Sequence, residues 1–117
     1  MAKITMLLAQ AAGKPQGDLE QGLELRACLT KNGHIDVAAY EADPLPWRTR
    51  RFWPDREDWF GHLILVDEGQ WGLLSERGDN EPVWDLEGKV FRPGEYVTLR
   101  RPDHEELIFR IVNVERD

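Results

Sequence analysis

The chain has 117 residues, 41% of them hydrophobic and 32% charged, with a formal net charge of −7. A chain of that length buries about two-thirds of its unfolded surface, so a single globular domain over residues 1–117 is expected, and five tryptophans argue against disorder. The acidity argues against attraction to nucleic acid or anionic lipid, no apolar run approaches the ~20 residues of a membrane helix, and the lone Cys28 fits a reducing cytoplasm better than a disulfide scaffold.

Residues 3–9 read as a first strand. The succession of Lys3, an apolar stretch to Ala9 and then Gln10-Ala11-Ala12 invites comparison with a signal peptide. That stretch, however, is short and broken by Thr5. Gly13 to Asp18 is rich in turn formers. Leu23, Leu25, Ala27 and Leu29 then alternate with Glu24, Arg26, Cys28 and Thr30, a period of two that predicts a strand with one buried face. Asn32-Gly33 marks a tight turn. Beyond it, Ile35, Val37 and Ala39 permit a continued hairpin. Asp36 equally permits a cap on one helical turn, Val37 to Ala42, stopped by Asp43-Pro44, and the alanine content favours the helix.

Pro44, Pro46 and Pro54 exclude a regular helix through residues 44–60, which are expected to be extended or looped. Phe60 to Val66 is the most apolar run and predicts a central strand, with Asp67 to Gln70 turning into a partner strand, Trp71 to Leu74. A polar loop, Glu76 to Pro82, leads to a short strand, Val83 to Leu86, and Val90-Phe91 begins another. Pro93-Gly94 predicts a turn, and Tyr96 to Arg100 pairs with Leu107 to Val114. In the last strand Leu107, Phe109 and Ile111 share one face and Ile108, Val112 and Val114 the other, which predicts cover on both sides. Seven to nine short strands with closely spaced turns predict an all-β fold, a small antiparallel β-barrel or two-sheet sandwich with one or two helical turns. Leu25, Leu29, Leu63, Leu65, Val97, Leu99, Phe109 and Ile111 are the expected core.

One segment concentrates distinctive chemistry. Residues 44–56 hold Arg48, Arg50, Arg51 and Arg56 against Asp55 alone, a basic island in an acidic chain. Trp47, Phe52, Trp53 and Trp59 interleave with these arginines. In an extended strand Arg48 and Arg50 point one way and Trp47, Thr49, Arg51 and Trp53 the other. Arginine and tryptophan are enriched at protein–protein hot spots, and the same mixture stacks bases and holds phosphates in single-strand binders. Trp47, Arg48, Arg50, Arg51, Trp53 and Trp59 are therefore the candidate binding residues. The competing reading folds the aromatics onto an open sheet and pairs the arginines with nearby acids.

Catalytic and metal signatures are weak. The acidic groups Asp55 to Asp58, Asp67-Glu68, Glu76 to Glu81 and Asp103 to Glu106 all fall in expected turns and loops, and Asp79-Asn80-Glu81 lacks the ligand ladder of a calcium loop. His34, His62 and His104 are far apart in the chain and from any metal-ligand spacing. His62, between Phe60 and Ile64 on its strand face, is the one conceivable general base, and Cys28 with His34 the one conceivable thiol dyad. No nucleophile elbow or phosphate loop occurs around Ser75 or the glycines. The expectation is a non-enzymatic module that binds an unidentified protein partner, as monomer or homodimer, without cofactor or metal. Single-stranded nucleic acid or another anion at residues 47–59 is the first alternative, disfavoured by the net charge, and a small enzyme with a carboxylate and His62 is the second.

Overall fold

Eight strands and one short helix make up the computed structural model, which describes residues 1–45, 47–76 and 82–116. They are β1 (Ala2–Gln10), β2 (Asp18–Ala27), α1 (Val37–Ala42), β3 (Arg48–Trp53), β4 (Arg56–Asp67), β5 (Gln70–Ser75), β6 (Trp84–Glu87), β7 (Tyr96–Arg100) and β8 (Glu106–Arg116). Each strand pairs antiparallel with the next, and β8 pairs with β1, so the sheet is a closed up-and-down barrel with no free edge. Of the two architectures the pattern allowed, closure selects the barrel.

The period-two pattern explains the interior. Ala2, Ile4, Met6 and Leu8 of β1 point inward, as do Leu23, Leu25 and Ala27 of β2, Val97 and Leu99 of β7, and Leu107, Phe109 and Ile111 of β8. All of these but Ala2, with Leu63, Leu73 and Leu86, belong to one hydrophobic cluster. Of the expected core, Leu29 and Leu65 are only partly buried at its margin.

The short helix forms where its cap predicts it. The Asp36 carboxylate accepts a hydrogen bond from the Ala39 amide at 3.1 Å. The hairpin-like alternative survives only as an isolated bridge between Leu29 and Ile35. Gly33 (φ 83°) and Gly94 (φ 95°) supply the left-handed backbone their turns require.

Of the extended and looped alternatives for residues 44–60, the structure takes the extended one over 48–60: β3 and the first half of β4 form a hairpin in which Arg51 opposes Trp59, with Pro54 in the turn, where its missing N–H costs no ladder bond. Two expectations are corrected. Val90-Phe91 starts no strand, because Phe91 turns inward from the β6–β7 loop and is buried. The second apolar face of β8 is not covered throughout: Val112 stays 46% exposed, because barrel closure gives a strand two neighbours without layering anything outside it, while Ile108 is half-buried and Val114 packs partly against the core. The expected acidic run Glu76 to Glu81, with its calcium-loop reading, falls largely on residues 77–81, outside the described residues.

The meander places the β1–β2, β3–β4, β5–β6 and β7–β8 connections at one end and the β2–β3, β4–β5 and β6–β7 connections at the other. The second end is plugged. Trp47 stacks on Trp71 with ring centroids 6.0 Å apart, and Tyr40 of α1 meets both edge-on at 5.1 and 5.2 Å.

Candidate functional site at the open end of the barrel

β3 divides the basic segment as a strand must. Trp47, Thr49, Arg51 and Trp53 point inward, and Arg48 and Arg50 outward. Trp47 is 1% exposed and belongs to the plugged end, so it offers no surface for stacking a ligand. Arg50 lies on the outer wall, hydrogen-bonded to Asp58 at 2.9 Å and Glu24 at 3.3 Å and resting on Phe52. Arg48 is exposed on the same wall.

Arg51, Trp53 and Trp59 converge at the first end, which the described residues leave open. The Arg51 guanidinium carbon lies 4.3 Å from the ring centroid of Trp84, 5.3 Å from Trp59 and 5.4 Å from Trp53. Arg101, which follows β7, approaches Trp84 at 4.7 Å. Two cations thus rest on one indole, whose face is electron-rich. Gly61 makes this possible, since a Cβ there would collide with the Trp59 ring and the Leu74 carbonyl.

Above this layer is a cavity of about 390 Å³. Its apolar surface comes from Leu8, Leu107 and Trp53, and its cations are Lys14, Arg56 and Arg101. Gln21, 8% exposed, is a polar group in the inward phase of β2. Its Nε2 donates to Asp18 at 3.2 Å, and Lys14 donates to the same carboxylate oxygen at 2.6 Å. The Lys14 hydrogen bond, followed by that from the Glu20 amide, holds the Asp18 pKa below its ordinary value. Arg101 bonds Glu105 at 3.2 Å, while its Nε is buried without a hydrogen-bond partner among the described residues. Arg56 makes no ion pair among the described residues. The loop bearing Arg101 closes by an Arg101 amide bond to the Glu105 carbonyl at 2.9 Å, with His104 in the left-handed region (φ 71°).

Lys14, Gln21, Trp84 and Arg101 escape sequence reasoning because they come from separate loops and strand ends. Only Gln21 carries a local signal, a polar residue in the apolar phase of β2. His62 lies on the convex outer wall, opposite Arg48 and Leu74, and no carboxylate is hydrogen-bonded to it among the described residues. The His34 ring is engaged elsewhere, with Nδ1 2.7 Å from the Lys89 carbonyl oxygen, so no Cys28–His34 dyad forms. No group of three or more potential metal ligands occurs among the described residues. No helix among them is long and apolar enough to cross a membrane. No protein-family model matches the chain, and neither does any curated protein or solved structure.

Proposed function

We propose that the protein is a non-enzymatic binding module whose site is the open end of the barrel, and that it holds there a small ligand with an anionic group and an apolar body. The observation that carries this reading is the cavity. Barrel mouths are recurrent ligand sites, and about 390 Å³ falls at the lower end of small-molecule pockets. Its lining has three cations against two carboxylates, Asp55 and Glu105, in a chain of net charge −7. An anion would meet Arg56 and Arg101 at the rim, and its apolar portion would lie against Leu8, Leu107 and Trp53. Partly buried Arg51 lies beneath, stacked on the Trp59 and Trp84 indoles.

The geometry favours a small anion over a nucleic-acid strand or a protein surface at this segment. A strand needs exposed rings in a row, whereas Trp47 is core and Trp53 and Trp59 are partly buried beside Arg51. Calorimetric titration with benzoate and phenyl phosphate tests the reading. Binding should weaken about tenfold in Arg56→Ala, the loss of one charge-assisted hydrogen bond. It should also weaken with added salt. Absence of heat for both compounds at millimolar concentration, or equal affinity in Arg56→Ala, would count against it.

A further inference from the structure

A second concave feature lies at the plugged end, where the β4–β5 turn passes the β6–β7 loop. Two hollows of about 330 and 280 Å³ meet there, sharing Gly69, Trp71, Gly88 and Lys89. Together they form a groove with two chemistries. Ile35, Val37 and Phe91 make one half apolar, and Gln70, Asp85, Glu87 and Arg100 make the other polar. Trp71 lines both.

The walls are held in place before anything binds. Besides the contact between His34 Nδ1 and the Lys89 carbonyl, the Phe91 amide donates to the Gly33 carbonyl at 2.8 Å, and Arg92 donates to the Asn32 carbonyl at 3.0 Å. These bonds tie the β2–β3 and β6–β7 loops together, so the groove costs little ordering to use. Gly69 leaves open space where a side chain would stand, which lets a ligand backbone approach the turn.

The charge around the groove identifies its occupant. Arg100 is consumed by Glu87 at 2.9 Å and Glu106 at 3.0 Å. Asp85 lines the groove without a hydrogen bond or ion pair among the described residues. The adjoining turn adds Asp67 and Glu68, likewise without ion pairs there. Asp85 and Glu87 line the groove beside Lys89 and Arg100, and Glu106 on Arg100 with Asp67 and Glu68 of the adjoining turn add acid around it.

We infer that the groove binds a short extended segment of a basic protein partner, seating an apolar side chain against Trp71, Ile35 and Val37 and a neighbouring lysine or arginine against Asp85. Alternate side chains of an extended segment suit a groove that is half apolar and half polar, with the Asp85 carboxylate unpaired among the described residues. The chain's negative charge would also steer a basic partner toward it. The proposal is independent of the anion site and uses the opposite end of the barrel.

Fluorescence anisotropy tests it with three fluorescein-labelled hexapeptides, alternating leucine with arginine, leucine with glutamate, and alanine with arginine. The leucine–arginine peptide should bind, and the other two should bind at least tenfold more weakly. Asp85→Lys and Val37→Glu are both surface changes, so the variants should keep the wild-type circular dichroism. Each should weaken the leucine–arginine peptide by about tenfold. Arg56→Ala should leave it unchanged. No binding of that peptide at millimolar concentration, equal binding of all three, or wild-type affinity in folded Asp85→Lys would overturn the inference. Loss of peptide binding in Arg56→Ala would overturn its placement at this end.

Discussion

Trp47→Ala separates a core role from a surface role at the residue where the two readings of the basic segment differ most. The indole is 1% exposed, stacks parallel to Trp71 and takes the Tyr40 ring edge-on. Truncating a buried tryptophan costs about 3–5 kcal/mol, of which each lost aromatic pair accounts for about 0.5–1.5 kcal/mol. Set against about 5–15 kcal/mol for a whole domain, that is a large share. At roughly 4 °C per kcal/mol for a chain of this size, the thermal midpoint should fall by ~12–20 °C. A local consequence follows as well. Helix α1 has no fully buried residue of its own and is docked through Tyr40, so hydrogen-exchange protection at the Tyr40 and Asp43 amides should drop more than protection in β1 or β8. Trp47→Phe, which keeps a ring against Tyr40, should cost less, and Arg48→Ala on the exposed side of the same strand should stay within about 0.5 kcal/mol of wild type. Urea and thermal unfolding of the three variants provide the measurement. A loss below about 1 kcal/mol for Trp47→Ala, with the fold intact, would refute the assignment of Trp47 to the plug.

Gly61→Ala should destabilise by about 1–3 kcal/mol, because the added methyl meets the Leu74 carbonyl of the paired strand as well as the Trp59 ring; urea unfolding measures it, and a neutral result would mean β4 and β5 separate easily. His104→Gly should raise the urea midpoint by about 0.5–1 kcal/mol equivalent, since relief of left-handed strain exceeds the added freedom of the unfolded chain; a loss would show that the His104 side chain stabilises its loop. The Asp18 carboxylate, depressed below its ordinary 3.8 by Lys14, stabilises the fold above that pH and ceases to do so as pH falls through its lower folded value. Asp18→Asn should therefore be less stable than wild type at neutral pH, with the difference closing well below 3.8, and a difference that persists there would assign the effect to something other than the ionised carboxylate.

How legible these features were depends on the range over which their causes act. Alternation in β1, β2, β7 and β8 is local and readable, as is the Asp36 cap on α1, because a two- or three-residue relation fixes each. The β3–β4 hairpin was obscured by prolines that flank it or sit in its turn rather than interrupt it. Phe91 was read as a strand residue because a buried aromatic in a loop and one in a strand look alike in sequence. The site was half visible. Arg51, Trp53 and Trp59 lie within nine residues and were singled out together with Trp47, Arg48 and Arg50, although strand geometry sends these to three different places. Arg51 and Arg101 meet on Trp84 only because β6 and β7 close the wall on that side, a long-range consequence of barrel topology that no local pattern encodes.

The claim that the open end of the barrel is a site for a small anion is tested most directly by amide and indole chemical-shift mapping during titration with phenyl phosphate. The account predicts saturable shifts at Lys14, Gln21, Arg56 and Arg101 and at the Trp53 and Trp84 indoles, with the Trp47 and Trp71 indoles unmoved at the plugged end. Shifts concentrated around Trp71 and Lys89, or a spectrum unchanged at millimolar ligand, would contradict it.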